Sequence, residues 1–450
     1  MGFRVVIIGA GPAGSVLANG LLRNNVEFCV YERDEESSKR EGYLIRLGED
    51  ALRGFKACLS KSQIDTILGK FSQTDVSLST APAVYNSRFQ LLVELDRLPG
   101  YPTGASINRV VLRDELMKPI KEAGKVQYNK TYSHYGITRR PDGSEKVLVY
   151  FDDGTTDECD VLIGADGSAS KVNHQVGARN LVKITSHWGF HAKGKLPLDR
   201  VKQLPPKVLE APIVVFSRGA LFYFALYIPP SGKLPEKVKS IANGQYDESM
   251  ASFYWSMHIP RHRIPYKSAA DIPDRLQLCL DNMEGWAPEL RMMATIGSTD
   301  EDASLYAGKL RGSDRLPPDW RSRCQGNSIE GHPRVWLIGD AVHTMLPNRG
   351  QGGNQALRDC SEILPELLKL NDQALAGQVP STEDIRSACD RYETIMFPRA
   401  FDWVKTSGGT GAPDFDLDGM LGYMVLVFST FALPVVIAFY RIGQFLTHIF

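Results

Sequence analysis

The chain has 450 residues, enough for two or three domains with sizeable cores, and its 43% hydrophobic and 23% charged content is that of a globular protein. A formal net charge of +0 excludes a basic field for nucleic acid and an acidic field for a cationic partner. The seven cysteines (Cys29, Cys58, Cys159, Cys279, Cys324, Cys360, Cys389) are scattered, odd in number and without C-x-x-C spacing, which excludes a disulfide framework or zinc knot and implies reduced thiols in an intracellular compartment.

The first strand-like run starts within five residues of Met1, which leaves no room for a secretory signal. Val5-Val6-Ile7-Ile8 is apolar and β-prone, and Gly9-Ala10-Gly11-Pro12-Ala13-Gly14 follows at once. Ser15–Leu22 has helical composition, so the glycines sit in the strand–turn–helix context that binds a dinucleotide. Gly9 makes the turn, Gly11 lets backbone approach a pyrophosphate, and Gly14 lets helix and strand pack closely. Pro12 suits the first helical turn, and the helix N-terminus offers N–H groups to phosphate. Val26–Tyr31 is a second strand, ended by Glu32 about 20 residues on, where a ribose-binding carboxylate belongs, with Arg33 beside it.

A charged loop runs to Glu41. Gly42–Leu47, carrying Ile45, reads as a return strand and Glu49–Leu59 as a helix. Arg88–Leu95 is strand-like, with a turn at Pro99-Gly100, and Asn108-Arg109 precedes a helical Val110–Lys118. Lys146–Phe151 and the turn at Asp153-Gly154 lead into a second glycine-acid turn, Asp160–Gly167, which contains Asp166. From about 181 to 310 the texture becomes aromatic and β-rich, with runs at Ile184–Ala192, Ile213–Pro229 and Ser252–Pro260, which suits the wall of a pocket. Pro273–Met283 reads as a helix. Arg334–Ile338 is again a buried strand, ended by Gly339-Asp340; helices follow at Gly352–Leu370 and Glu383–Trp403. Met420–Tyr440 carries no charge and as a helix spans about 30 Å, the thickness of a bilayer core, with a kink expected at Pro434. Its alternative is a helix lying on protein; membrane association is the expectation, because nothing after the run can bury it.

Three motifs in this order resemble those of the group A flavoprotein monooxygenases, the para-hydroxybenzoate-hydroxylase-like family. Gly9–Gly14 with Glu32 matches the family's adenosine-diphosphate site, and Asp160–Gly167 its Asp-Gly motif. Gly339-Asp340-Ala341-Val342-His343-Thr344-Met345-Leu346-Pro347 matches its Gly-Asp motif, continued by Gly350-Gln351-Gly352-Gly353-Asn354, while Arg109 matches an arginine at a helix start. The resemblance covers about residues 1–180 and 330–400. It implies an α/β fold: a Rossmann-like FAD-binding domain in three pieces (1–72, 103–180, 310–372), a β-rich substrate domain (73–102, 181–309), a C-terminal helical region (373–418) and a hydrophobic tail (419–450).

The resemblance further implies FAD as cofactor, NADPH or NADH as reductant and O2 as co-substrate, with oxygen adding at flavin C4a and the hydroperoxide delivering one oxygen atom. Asp340 would then accept from a ribityl hydroxyl, Arg109 pair with the pyrophosphate or ribityl region, and Gly350–Asn354 present N–H groups to the pyrimidine edge of the flavin. Asp166 would touch flavin and nicotinamide, and Pro347 would border the reacting face. His343 reads as packing. On the substrate sheet Tyr223, with His191 or Lys193 near the place of the family's arginine, are the catalytic candidates; the missing arginine speaks against a phenolate substrate. His187, His191, His258 and His262 lack metal-ligand spacing, so no metal is expected. The aromatic strands and the tail favour hydroxylation or epoxidation of a lipophilic polyene, polyketide or isoprenoid by a membrane-associated enzyme facing the cytosol, similar to tailed enzymes of fungal secondary metabolism. Two rivals keep the fold: a flavin-dependent reductase of isoprenoid double bonds, and a non-catalytic prenyl-binding escort protein.

Overall fold

The computed structural model describes every residue except 1, 39–43, 72–80, 100, 103, 142, 229–250, 299–303, 325–328, 413 and 450, and gives only the backbone of 304 and 442–449. Glu41, Gly42, Tyr43, Gly100 and Pro229, which the sequence reading placed in loop, strand and turn, lie outside the described residues. Strand β1 (Arg4–Ile8), helix α1 (Pro12–Arg23) and strand β2 (Glu27–Tyr31) form a parallel βαβ unit, with Val6 opposite Cys29. Val5–Ile8 are all buried, which accounts for the unbroken apolar run. Strand β3 (Leu44–Gly48) is followed by α2 (Glu49–Cys58) and α3 (Lys61–Leu68), the latter begun by a capping box of Ser60 and Gln63.

Strands β4 (Ala83–Tyr85) and β5 (Leu91–Glu94) leave this body for a second sheet. The expected strand Arg88–Leu95 therefore starts late. Asn86 Oδ1 accepts the N–H groups of Arg88 and Gln90 and holds 86–90 as a turn. Strand β6 (Gly104–Asn108) returns to pair antiparallel with β3, Ile107 opposite Ile45, and runs into α4 (Arg109–Glu122). Strand β7 (Val126–Gln127) precedes an antiparallel trio, β8 (Tyr132–Arg139), β9 (Glu145–Phe151) and β10 (Thr156–Cys159). Then come β11 (Val161–Gly164), parallel to β1, and the short α5 (Lys171–Gln175).

Next are β12 (Leu181–Lys183), β13 (His187–Lys195), α6 (Leu198–Val201), α7 (Pro206–Glu210), β14 (Ile213–Ser217), β15 (Ala220–Tyr227) and β16 (Ser252–Pro260). Helices α8 (Arg275–Asn282) and α9 (Pro288–Thr295) and strands β17 (Ser304–Gly308) and β18 (Arg311–Ser313) complete this half. The strand expected at Ile184–Ala192 is shifted to His187–Lys195. The expected helix start at Pro273 moves to Arg275, because Asp274 takes the cap by accepting the Gln277 N–H at 2.9 Å. Among the described residues the large sheet runs β17-β13-β16-β15-β14-β4-β5. Period-two alternation splits it: Phe190, Phe222, Phe224, Phe253, Trp255 and Met257 fill the core shared with α6–α9, while Tyr223, Tyr254 and Ser256 look back at the first body.

Strand β19 (Val335–Leu337) closes the parallel sheet, β19-β11-β1-β2-β7 among the described residues. After it come α10 (Asp340–His343), α11 (Gly352–Leu375), α12 (Thr382–Thr406), α13 (Met420–Val427) and α14 (Leu433–Ile449). The irregularity expected at Pro434 is realised upstream of it, as a π turn over Phe428–Ala432. Pro434 donates no N–H and crowds the carbonyl four residues back, and a widened turn accommodates both demands. Six cysteines are buried and Cys324 is partly exposed.

Candidate flavin site and substrate cavity

The turn after β1 is shaped by what surrounds it. Gly9 has φ +107°, and a Cβ there would lie 2.5 Å from the Ala165 carbonyl oxygen, so β11 leaves room for glycine only. At Gly14 a Cβ would lie 2.1 Å from the Gly9 carbonyl oxygen, whereas at Gly11 it meets nothing within 4 Å. Two glycines thus serve the protein's own packing and the third faces open space. Gly11 is the N-cap of α1 with no side-chain cap, and Pro12 and Ala13 follow, so the first N–H groups of the helix face that opening. Glu32, at the end of β2, accepts the Ala10 N–H at 2.8 Å and the Asp34 N–H at 3.0 Å, which brings its carboxylate beside the glycine turn. Arg33 is exposed and lies 3.8 Å from Asp34.

Asp166 sits in the turn after β11. Its carboxylate accepts the Ser170 hydroxyl at 2.5 Å and the N–H groups of Lys171 and Val172 at 2.8 and 3.3 Å, which organises the start of α5. Desolvation raises its pKa above the usual carboxylate value, with those hydrogen bonds working against the rise. Arg109 opens α4, where Asn108 Oδ1 caps the helix through the Val110 N–H at 2.9 Å.

The third turn rests on a buried charge network that the sequence reading missed. Gly339 has φ +60° and donates its N–H to Asp359 at 2.8 Å. The same Asp359 oxygen lies 2.7 Å from His343 Nε2, and its other oxygen accepts from Arg399 on α12 at 2.7 Å. Burial pushes Asp359 up, but His343 and Arg399 outweigh it and hold the carboxyl below its ordinary range. His343 is fully buried in this network, consistent with a packing and orienting part. The signal lay in α11, where Asp359 interrupts an apolar face of Leu357, Cys360, Ile363 and Leu364. Asn354 spends its side chain on backbone: Oδ1 accepts the Gly48 N–H at 2.7 Å, and Nδ2 donates to the carbonyls of Arg46 and Gly350 at 2.9 Å. It therefore staples β3 to the start of α11, and what it offers a ligand is its main chain.

The third turn lines a cavity of ≈ 200 Å³, whose walls do not include Gly9–Gly14, Glu32, Arg109 or Asp166. Asp340, Pro347, Gly350, Gly352 and Gly353 line one side, Ile45 and Arg46 come from β3, Tyr101 from the loop before β6, and Tyr223, Tyr254 and Ser256 from the large sheet. Arg46 and Tyr101 were not singled out from sequence; a charge between Ile45 and Leu47 in an apolar strand was the available sign. The Arg46 guanidinium lies 5.4 Å from the centroid of the Tyr101 ring, and burial lowers its pKa while both phenols counter the shift. Burial pushes the Tyr223 phenol up, with Arg46 pulling the other way. His191 and Lys193 do not line the cavity. His191 reaches it through Tyr254, whose hydroxyl lies 2.8 Å from Nδ1, and burial holds the ring down to about 4, so it is neutral at pH 7.

The sequence pattern of the family described as FAD binding domain matches residues 321–388. The dual O-methyltransferase/FAD-dependent monooxygenase CTB3 of Cercospora beticola is 25% identical over 391 residues, 81% of this chain and 42% of that protein. The FAD-dependent monooxygenase pigN of Monascus ruber is 25% identical over 428 residues, 90% of this chain and 85% of that protein. The chain thus spans less than half of the first relative and most of the second. Among solved structures, HpxO of Klebsiella pneumoniae complexed with FAD and uric acid superposes with a TM-score of 0.62 at 18% identity, covering 98% of this chain and 92% of that one, a likeness of fold. In its ordered glycine-acid motifs and in its fold the chain is thus similar to FAD-dependent monooxygenases, and it carries a match to an FAD binding domain.

Proposed function

We propose that the chain inserts one atom of O2 into a hydrophobic small molecule, by hydroxylation or epoxidation, using FAD and NADPH or NADH. The observation that carries this reading is the cavity enclosed between the Asp340–Gly353 segment and the aromatic face of the large sheet. The residues fit FAD: Gly11 leaves space beside uncapped helical N–H groups, and Gln351 likewise gives α11 no side-chain cap. When bound, FAD supplies hydride acceptance and oxygen activation.

The chain's own groups hold and shield. The α1 N-terminus and Arg109 take the pyrophosphate, Glu32 the ribose and Asp340 a ribityl hydroxyl, as charge-assisted hydrogen bonds. The Gly352 and Gly353 N–H groups favour negative charge at the pyrimidine edge, and Pro347 walls the reacting face. Asp166 orders the turn beside them. Tyr223, Tyr254, Ser256 and Arg46 form one polar side of the chamber, opposite Asp340, Asn348 and Arg349, and Tyr223 is a neutral donor toward a substrate oxygen. His191 and Lys193 act behind this layer.

The relatives named FAD-dependent monooxygenases support this class of chemistry, and the mostly exposed apolar helix Met420–Arg441 supports residence on a membrane. The test is NADPH oxidation under oxygen-18 gas with lipophilic extracts. One labelled oxygen in the product is the expected result. A product two hydrogens heavier without label moves the assignment to a double-bond reductase, and protein that takes up no FAD moves it to an escort role.

A further inference from the structure

A cavity of ≈ 200 Å³ is smaller than the about 300–1,000 Å³ that small-molecule sites enclose. A lipophilic substrate longer than its reacting end must therefore continue into adjoining space. Tyr101 is a wall common to this cavity and to a second, ≈ 800 Å³ cleft. That cleft runs between Asp96, Arg97 and Tyr101 on one side and Leu433, Ile437 and Tyr440 of the tail helix on the other. The helix is seated there. The Ser429 hydroxyl donates to the Leu92 carbonyl at 2.5 Å, and Val425 and Leu426 pack against the small core of Val84 and Leu92 at the β5 edge. Its opposite flank carries Phe431, Val435, Val436 and Phe439, all exposed. One side of the helix thus faces the cleft while the other presents a continuous apolar surface.

We infer that the cleft is the passage by which a lipophilic substrate leaves the bilayer, and that Tyr101 is the gate through which its reacting end enters the flavin-side cavity. The remainder of the molecule stays between Asp96, Arg97, Leu98 and Pro99 on one side and Leu433, Ile437 and Tyr440 on the other. This rests on the reading of cavity and tail given above. It makes the occupant an elongated molecule that reacts at one end, with a chain of prenyl or polyene type filling the cleft. Asp96, Arg97 and Arg441 border the cleft with charge, and an extended apolar chain has its contacts with Leu433, Ile437 and the Tyr101 ring between them.

The experiment uses the full chain loaded with FAD, bound to phosphatidylcholine vesicles containing geranylgeraniol that carries a terminal diazirine. Irradiation followed by peptide mapping is expected to place adducts on 96–101 and 429–441, and also on β14 and β15 beside the cavity. Ile437→Trp, which fills the cleft, should lower the β14 and β15 adducts about tenfold while FAD content and vesicle binding hold. Tyr101→Ala, which removes the gate, should raise them. Unchanged β14 and β15 adducts in Ile437→Trp, with FAD and vesicle binding intact, overturn the passage and leave the flavin reading standing. Wild-type protein that holds no FAD, or leaves the vesicles, overturns the reading beneath it as well.

Discussion

Gly11 and Gly14 lie three residues apart and answer to different demands. A side chain at Gly14 collides with backbone, whereas one at Gly11 enters space that nothing in the chain occupies. Gly14→Ala should therefore cost the fold itself, by about 3 kcal/mol or more of strain, seen as a lowered thermal midpoint. Gly11→Val should keep the melting behaviour and lose the yellow absorbance of bound flavin; a yellow Gly11→Val protein counts against this turn as the pyrophosphate site. The buried histidines give a second residue-level prediction. His191 is held down to about 4 and His258 to about 3, each from an ordinary 6.5, chiefly by burial. The unfolded chain binds more protons than the native one once pH drops below about 6.5, so this stability is complete above that point and is lost as pH falls toward 4 and then 3. Denaturation midpoints should decline across that interval, by up to about 3 kcal/mol for His191, and His191→Gln should flatten the early part of the decline. Asp359, whose depressed pKa is of the carboxylate kind, adds its loss at still lower pH. The packing role of Gly14 was legible in sequence because its demand comes from the Gly9 carbonyl in the same turn. The Asp359–His343–Arg399 network was not, since nothing in a single helix says which distant arginine will reach it.

At the scale of elements, legibility followed the strength of the local pattern. The unit β1–α1–β2 was plain because an apolar buried strand, a glycine turn and a helix begun by proline each carry their own signature. Strand β8 was missed: its burial alternates irregularly, and a register shift between Tyr132 and His134 breaks the period of two. The tail was legible as apolar and charge-free, but its division of labour was not. Leu417, Val425 and Leu426 cover Val84 and Leu92, while Phe431 and Phe439 face outward. Removing 428–450 should therefore release the protein from membranes and leave the β5 edge covered, whereas removing 419–450 should also lower the thermal midpoint by exposing that small core. Flotation with liposomes and a melting curve read the two effects separately; a full-length chain that never floats defeats membrane association.

At the scale of the molecule, the chain crosses between two bodies: β4 and β5 leave the parallel-sheet half early and join a sheet otherwise built from 187–308. The change of texture near residue 181 revealed that second body, but not the long-range pairings that lock the halves, such as the Tyr227 hydroxyl with the Lys70 carbonyl across 157 positions. Those depend on chain closure, which no local window contains. The buried thiols turn this architecture into a clock. Cys279 lies in the core of the large-sheet half, while Cys29, Cys58, Cys159, Cys360 and Cys389 lie in the other core. Burial pushes Cys58 and Cys279 up to about 12, so neither reacts until its surroundings open. A thiol reagent should mark native protein first at the partly exposed Cys324, and each later mark times the opening of one half. If Cys279 is marked long before Cys58, the halves breathe independently; if they are marked together, the molecule opens as one.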